Sequence, residues 1–111
     1  MKVYLGFNKG VGGQKIRVIT GNSNKPLKHI LLHSLDGFQW GYAGSGPSDT
    51  AVSILTDYLG YIPGASVYQT FKHDLIAPAG KKLEIDSDEI KAWFMAKYPE
   101  VHCARRQTPR S

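Results

Sequence analysis

Residues 33–55 read HSLDGFQWGYAGSGPSDTAVSIL: an aromatic run, a glycine-rich turn and the opening of a helix in immediate succession. No other stretch constrains the fold as much. Phe38, Trp40 and Tyr42 alternate with Gln39 and Gly41, so they are expected to share one face of a strand. Gly44, Ser45 and Gly46 then turn the chain. Pro47 suits the first helical position, where its fixed φ matches the helix and its missing N–H has no partner to lose. Gly46 or Ser45 is the expected N-cap, and Ser48, Asp49 and Thr50 set oxygens beside the free N–H groups of the first turn. Such a turn either holds an anion at the helix N-terminus or merely redirects the chain; the second use is the commoner. The aromatics likewise either fill a core or offer a stacking wall, and small cores favour the first.

The chain before this stretch alternates. Val3, Leu5 and Phe7 lie on one face of residues 2–7, opposite Lys2, Tyr4 and Gly6. Ile16, Val18 and Thr20 lie opposite Lys15, Arg17 and Ile19. Two such runs joined by NKGVGGQ predict an antiparallel hairpin with a long tip. That tip matches neither nucleotide-loop fingerprint, so it is either a plain hairpin tip or a phosphate-contacting loop. GNSNKP (21–26) reads as a second turn, and residues 27–33 as a strand or extended segment.

The second half is helical. A first helix is expected over 47–58, with Ala51, Ile54, Leu55 and Tyr58 inward and Gly60 ending it. A second is expected over 64–75, with Tyr68, Phe71 and Leu75 at helical spacing. KKLEI (81–85) is a short strand, and Asp86 or Ser87 caps a third helix over 88–97 that turns Ile90, Trp93 and Phe94 inward. Together these predict a single α+β domain over residues 1–98, an antiparallel sheet from the N-terminal half packed on two to three helices from the C-terminal half, followed by a basic tail at 99–111.

The 111 residues are enough for one modest core, and 41% are hydrophobic. No run is long and apolar enough to span a membrane, and MKVYLGFNKG lacks a signal-peptide core. Cys103 is the sole cysteine, which excludes an intrachain disulfide and leaves a metal site poorly supported. A reducing, cytoplasmic setting is expected. The net charge of +5 favours anionic partners but is too dispersed for a duplex-binding surface.

For catalysis the candidates are weak: Ser45 is outside a nucleophile elbow, Asp49 and Asp57 are too far apart for a carboxylate pair, and His29, His33, His73 and His102 have no spacing that ties them to Ser45. No catalytic residue, metal or cofactor is expected. Binding has more to draw on: backbone N–H groups at 44–50, rings at Trp40, Tyr42, Tyr68 and Phe71, and guanidinium groups at Arg17, Arg105 and Arg106.

The string WGY-x-GSGP at 40–47, preceded by His33, Ser34, Gly37 and Phe38 and followed by Tyr68-x-x-Phe71-Lys72, resembles a family of small phage and prophage proteins that carry a domain-of-unknown-function label. The match runs from about Val3 to Lys97. Leu35 stands where the family is expected to have proline, and Ala43 where glycine is common. The chain is also similar to the phage anti-Thoeris sponge proteins, which sequester cyclic ADP-ribose-type signals without cleaving them. That resemblance implies a homo-oligomer with a nucleotide ligand, a stacking role for Phe71, phosphate contacts from Arg105 and Arg106, and, less directly, from the Gly44–Ser45–Gly46 turn. The expected function is therefore sequestration of a cyclic ADP-ribose-like immune signal in the host cell. The rivals are a protein-binding inhibitor or accessory factor and a weak nucleic-acid-binding module.

Overall fold

The alternating runs at the N-terminus form an antiparallel hairpin in the computed structural model, which describes residues 1–10, 13–30, 32 and 37–101. Strand β1 (Lys2–Phe7) pairs with β2 (Ile16–Thr20), β2 with β3 (Ser23–Pro26), and β4 (Lys82–Asp86) closes on the other side of β1. The sheet order is β3-β2-β1-β4, antiparallel throughout. Helices α1 (Ser45–Leu59), α2 (Ala65–Phe71) and α3 (Ser87–Lys97) share one core with one face of this sheet. The α+β class holds, with three strands from the first half and β4 from the second.

Two local expectations are corrected. GNSNKP holds strand β3 as well as a turn: Thr20 pairs with Ser23 across Gly21–Asn22, and Gly21 takes φ +56°, as a two-residue hairpin turn asks of its first glycine. The Phe38–Tyr42 run is not a strand and makes only an isolated bridge, between Gln14 and Phe38. The second correction follows from α1, which holds this run by side chains instead of by a neighbouring strand.

Helix α1 is buried continuously from Gly46 to Leu55. Ala51, Val52, Ile54 and Leu55 enter the core, while the polar stripe Asp49, Thr50 and Ser53 faces the incoming chain. Ser53 Oγ accepts the Ile30 N–H (2.8 Å). Asp49 accepts from His29 Nε2 (2.8 Å) and from the Leu32 N–H (3.2 Å). Thr50 Oγ1 accepts the Gln39 N–H (3.0 Å) and donates to the Gln39 carbonyl (2.7 Å), the two bonds a strand partner would otherwise make. These bonds satisfy backbone groups that burial would leave expensive.

In β1 the core takes Tyr4 and Gly6, not the apolar trio. The Tyr4 hydroxyl donates to Asp57 (2.7 Å), which also meets Lys2 Nζ (3.1 Å). At Gly6 a Cβ would stand 2.7 Å from Trp40 Cη2, so the strand needs glycine where the indole lies on it. Val3, Leu5 and Phe7 therefore line the outer face.

After α2 the backbone widens into a π turn at Lys72–Ile76, where the Ala77 N–H bonds back to the Lys72 carbonyl (2.8 Å). The extra residue advances the inward position from Leu75, which plain helical spacing selects, to Ile76, which is fully buried. It also presents Asp74 to α3. There Asp74 Oδ2 accepts from Trp93 Nε1 (2.8 Å) and meets Lys97 Nζ (3.3 Å). Asp86 caps α3 by accepting the Glu89 N–H (2.8 Å), and Ile90, Trp93 and Phe94 are buried as expected. Lys97 is half-exposed, at the ion pair with Asp74.

Two outcomes are expected. Asp49→Ala leaves the His29 and Leu32 donors without their acceptor and should lower the unfolding free energy in urea by more than about 2 kcal/mol. The Trp93 hydrogen bond, helped by Lys97 and opposed by desolvation, holds the Asp74 carboxyl below its ordinary value. Its stabilisation is therefore present above the ordinary carboxylate range and is lost as pH falls below it. Urea unfolding from neutral pH down through about pH 4 should show a smaller acid-induced loss in Asp74→Asn than in the parent.

Candidate functional site

The glycine turn that precedes α1 is built for contacts within the chain. The N-cap is Gly44, in extended backbone, so Pro47 stands third in the helix, where its missing N–H still loses no intrahelical bond. The Ser48 N–H bonds to the Gly44 carbonyl (3.0 Å), leaving the N–H groups of Ser45 and Gly46 in the first turn. Gly46 is buried beneath the Gln39 side chain, and a Cβ there would collide with its amide. A Cβ on Gly44 would stand 2.8 Å from the Tyr42 ring. The Tyr42 hydroxyl donates to Gln39 Oε1. Gly41, at φ +90°, bonds through its N–H to the Ile76 carbonyl (3.1 Å), and Trp40 Nε1 donates to the Gly80 carbonyl (2.8 Å). WGY-x-GSGP thus spells out a packing joint: each glycine admits an aromatic ring, an amide or a backbone approach.

Of the other expected ligand residues, those that the structure describes do not gather at this turn. Phe71 is fully buried, its ring edge-on to Trp93 at 5.0 Å, and presents no face on which a base could stack. The stacking role that the resemblance implies for Phe71 finds no exposed ring here: the residue sits in the core, as its helical spacing also allows. Tyr68 and Trp40 are buried as well, whereas Tyr42 is exposed. Arg105 and Arg106, with His102 and Cys103, lie outside the described residues, as does His33. His29 is held by Asp49 and tilted against Phe38, and Asp57 is occupied by Tyr4 and Lys2. No group of three metal-ligating side chains occurs among the described residues, and none of their helices is long and apolar enough to cross a membrane.

A cleft of about 500 Å³ opens instead on the outer face of the sheet, where β1 passes through residues 8–15 into β2. Leu5 and Phe7 supply its apolar wall, and Lys9, Lys15 and Arg17 its charge; among the described residues no carboxylate lines it. The loop is held from within. Gln14 accepts the Lys9 N–H through Oε1 (2.9 Å) and donates to the Gly10 carbonyl through Nε2 (3.0 Å). Asn8 Oδ1 accepts the Gly10 N–H (2.9 Å), a local turn for which Gly10 adopts φ +118°. The Asn8 N–H bonds to the Lys81 carbonyl (2.7 Å), which ties the loop to the chain entering β4. Arg17 is fixed from the side, donating through Nε to Asn24 Oδ1 (2.7 Å) and through Nη2 to the Asn24 carbonyl (2.9 Å). A smaller polar hollow of about 140 Å³ borders Asn8, Gln14, Gln39 and Tyr42, and Gln14 lines both.

Of the residues read from sequence as ligand candidates, the cleft contains Arg17 and, from the NKGVGGQ loop, Lys9, Gly13 and Gln14. Lys9 and Lys15 were not singled out; the signal available was their place at both ends of a glycine-rich tip. The structural reading of the turn predicts that Gly46→Ala, which displaces Gln39, lowers thermal stability by about 1–3 kcal/mol. Gly80→Ala, with open space around it, should change little in the same calorimetric melts.

No curated protein and no solved structure matches the chain. Residues 4–96, almost all of the described fold and the whole of the WGY-x-GSGP joint, match the model of a family described as a family of unknown function (DUF6166). The chain belongs to that family.

Proposed function

We propose that this protein binds a small anionic ligand of nucleotide type and holds it without chemical change. The ligand proposed within that class is a cyclic ADP-ribose-type immune signal, sequestered by a phage-borne protein in an infected cell. One observation carries the reading: the outer-face cleft joins three cations to an apolar wall, and no carboxylate is among the described residues of its lining. Its volume lies within the range of small-molecule sites. Lys9, Lys15 and Arg17 suit phosphate oxygens, with Arg17 already held by Asn24 so that less side-chain freedom is lost on binding. Leu5 and Phe7 suit the faces of a ribose or base. The finer identity of the ligand and the phage setting rest on the resemblance of WGY-x-GSGP and its flanks. The binding roles move from Phe71 to the cleft; Arg105 and Arg106 keep a phosphate role only as the resemblance implies it.

Isothermal calorimetry against cyclic ADP-ribose isomers, with ADP-ribose, NAD and cyclic trinucleotides as comparators, tests this. Binding of one cyclic isomer is expected, recovered intact after heat denaturation and weakened about tenfold or more in Lys15→Ala and Arg17→Ala. An absence of heat with every one of these anions, or unchanged affinity in both variants, would overturn the proposal.

A further inference from the structure

The outer face of the sheet carries an apolar stripe in a central strand. Val3, Leu5 and Phe7 project from β1, with Ile19 beside them on β2. Phe7 is 52% exposed, and none of the four belongs to the core or packs against it. Antiparallel sheets leave one face to water when that face is polar; a central strand with three apolar residues in a row on its open side asks for a cover.

The strand register says what shape of cover fits. Leu5 stands opposite Arg17 on one neighbouring strand and opposite Glu84 on the other. The row across the sheet therefore reads cation, apolar, anion, with both charges one strand spacing, about 4.8 Å, from the stripe. A two-fold axis parallel to β1, midway between two such faces, exchanges the two flanks. It lays Leu5 over Leu5 and sets each Arg17 against the second copy's Glu84, twice. Opposite charges at equal offsets from a common apolar line make the surface complementary to itself, which is the condition for an isologous dimer. Face-to-face sheets about 10 Å apart, rotated by their twist, keep this central row in register best. Both charges are available: Arg17 is exposed, and Glu84 is engaged only in a surface ion pair with Lys82 in which both side chains are 53% exposed.

We infer that this face is a self-association surface, and that two copies of the chain pack through Val3, Leu5, Phe7 and Ile19 with reciprocal Arg17–Glu84 pairs. The inference does not rest on the proposed ligand, although the cleft lies at the same face. At the Phe7 end the axis brings Lys82 of one copy toward Lys15 of the other, a like-charge contact that works against association, so the self-complementarity is that of the central Arg17–Leu5–Glu84 row. The dimer is therefore tested without any added polyanion.

Sedimentation equilibrium from low micromolar to millimolar protein should show a mass rising from 12.3 kDa toward twice that value. Phe7→Asp should remain at one chain while keeping the parent circular dichroism and melting profile, since Phe7 contributes nothing to the core. Arg17→Glu and Glu84→Arg should each weaken association about tenfold or more, and the double reversal should restore most of it. A chain that stays at 12.3 kDa across the range, or a double reversal no stronger than either single one, would overturn the inference. Calorimetry on Glu84→Arg keeps the two ideas apart: Glu84 is not among the described residues of the cleft lining, so its reversal should weaken the dimer and leave ligand binding by the single chain unchanged.

Discussion

A carboxylate buried without exposure on α1 governs the arrangement of the first half of the chain. Asp49 is stable in such a place only if donors are brought to it, and they come from His29 and Leu32, residues that precede the helix. Ser53 and Thr50 extend the same stripe to Ile30 and Gln39. The segment between β3 and α1 is thus laid along the helix by side-chain bonds, and this allows α1 to be buried on nearly every side. Once Gln39 is fixed at both its N–H and its carbonyl, Trp40 falls onto Gly6, Gly41 onto the Ile76 carbonyl, and Tyr42 onto Gly44. The glycine-rich motif is the downstream consequence of that anchoring.

Much of this architecture is legible in the sequence, and the parts that are not share a cause. The hairpin β1–β2, the Gly60 stop, the Asp86 cap and the inward set Ile90, Trp93 and Phe94 follow from local rules: alternation, a positive-φ glycine, a side-chain cap and helical spacing. The failures are positions where a distant partner decides. Alternation tells which residues of β1 share a face but not which face is inward. Hydrophobicity favours Val3, Leu5 and Phe7, yet Tyr4 turns inward because its ring can be buried while Asp57 takes its hydroxyl. The inserted residue of the π turn is equally invisible locally, and it moves the buried position from Leu75 to Ile76.

The candidate site shows the same division. Gly44–Ser45–Gly46 has the local chemistry of an anion site, but the side chains of Gln39 and Tyr42 occupy the space that its glycines open. Phe71 has the residue type of a stacking platform and the burial of a core anchor. Neither fact is readable without knowing what lies above the turn or against the helix. Arg17, by contrast, alternates with the more apolar Ile16 and Val18, which marks it as outward, and the β1–β2 register then sets it beside Leu5.

Inverting β1 has a physical consequence for the whole outer surface. With Tyr4 and Gly6 inside, the strand's most apolar residues are left on the side where the basic tip of the hairpin also lies. An apolar wall beside fixed cations discriminates by combination: a bare anion gains only the charges, and a neutral apolar body only the wall. A ligand or partner that carries both an anionic and an apolar part uses the two together. Arg17 is central to this because Asn24 holds its guanidinium through two bonds, so it meets either a phosphate or a carboxylate already oriented. Under the two proposals the same residue would meet a nucleotide in the cleft and Glu84 of a second copy, so binding of one would change the conditions for the other wherever both reach the same guanidinium.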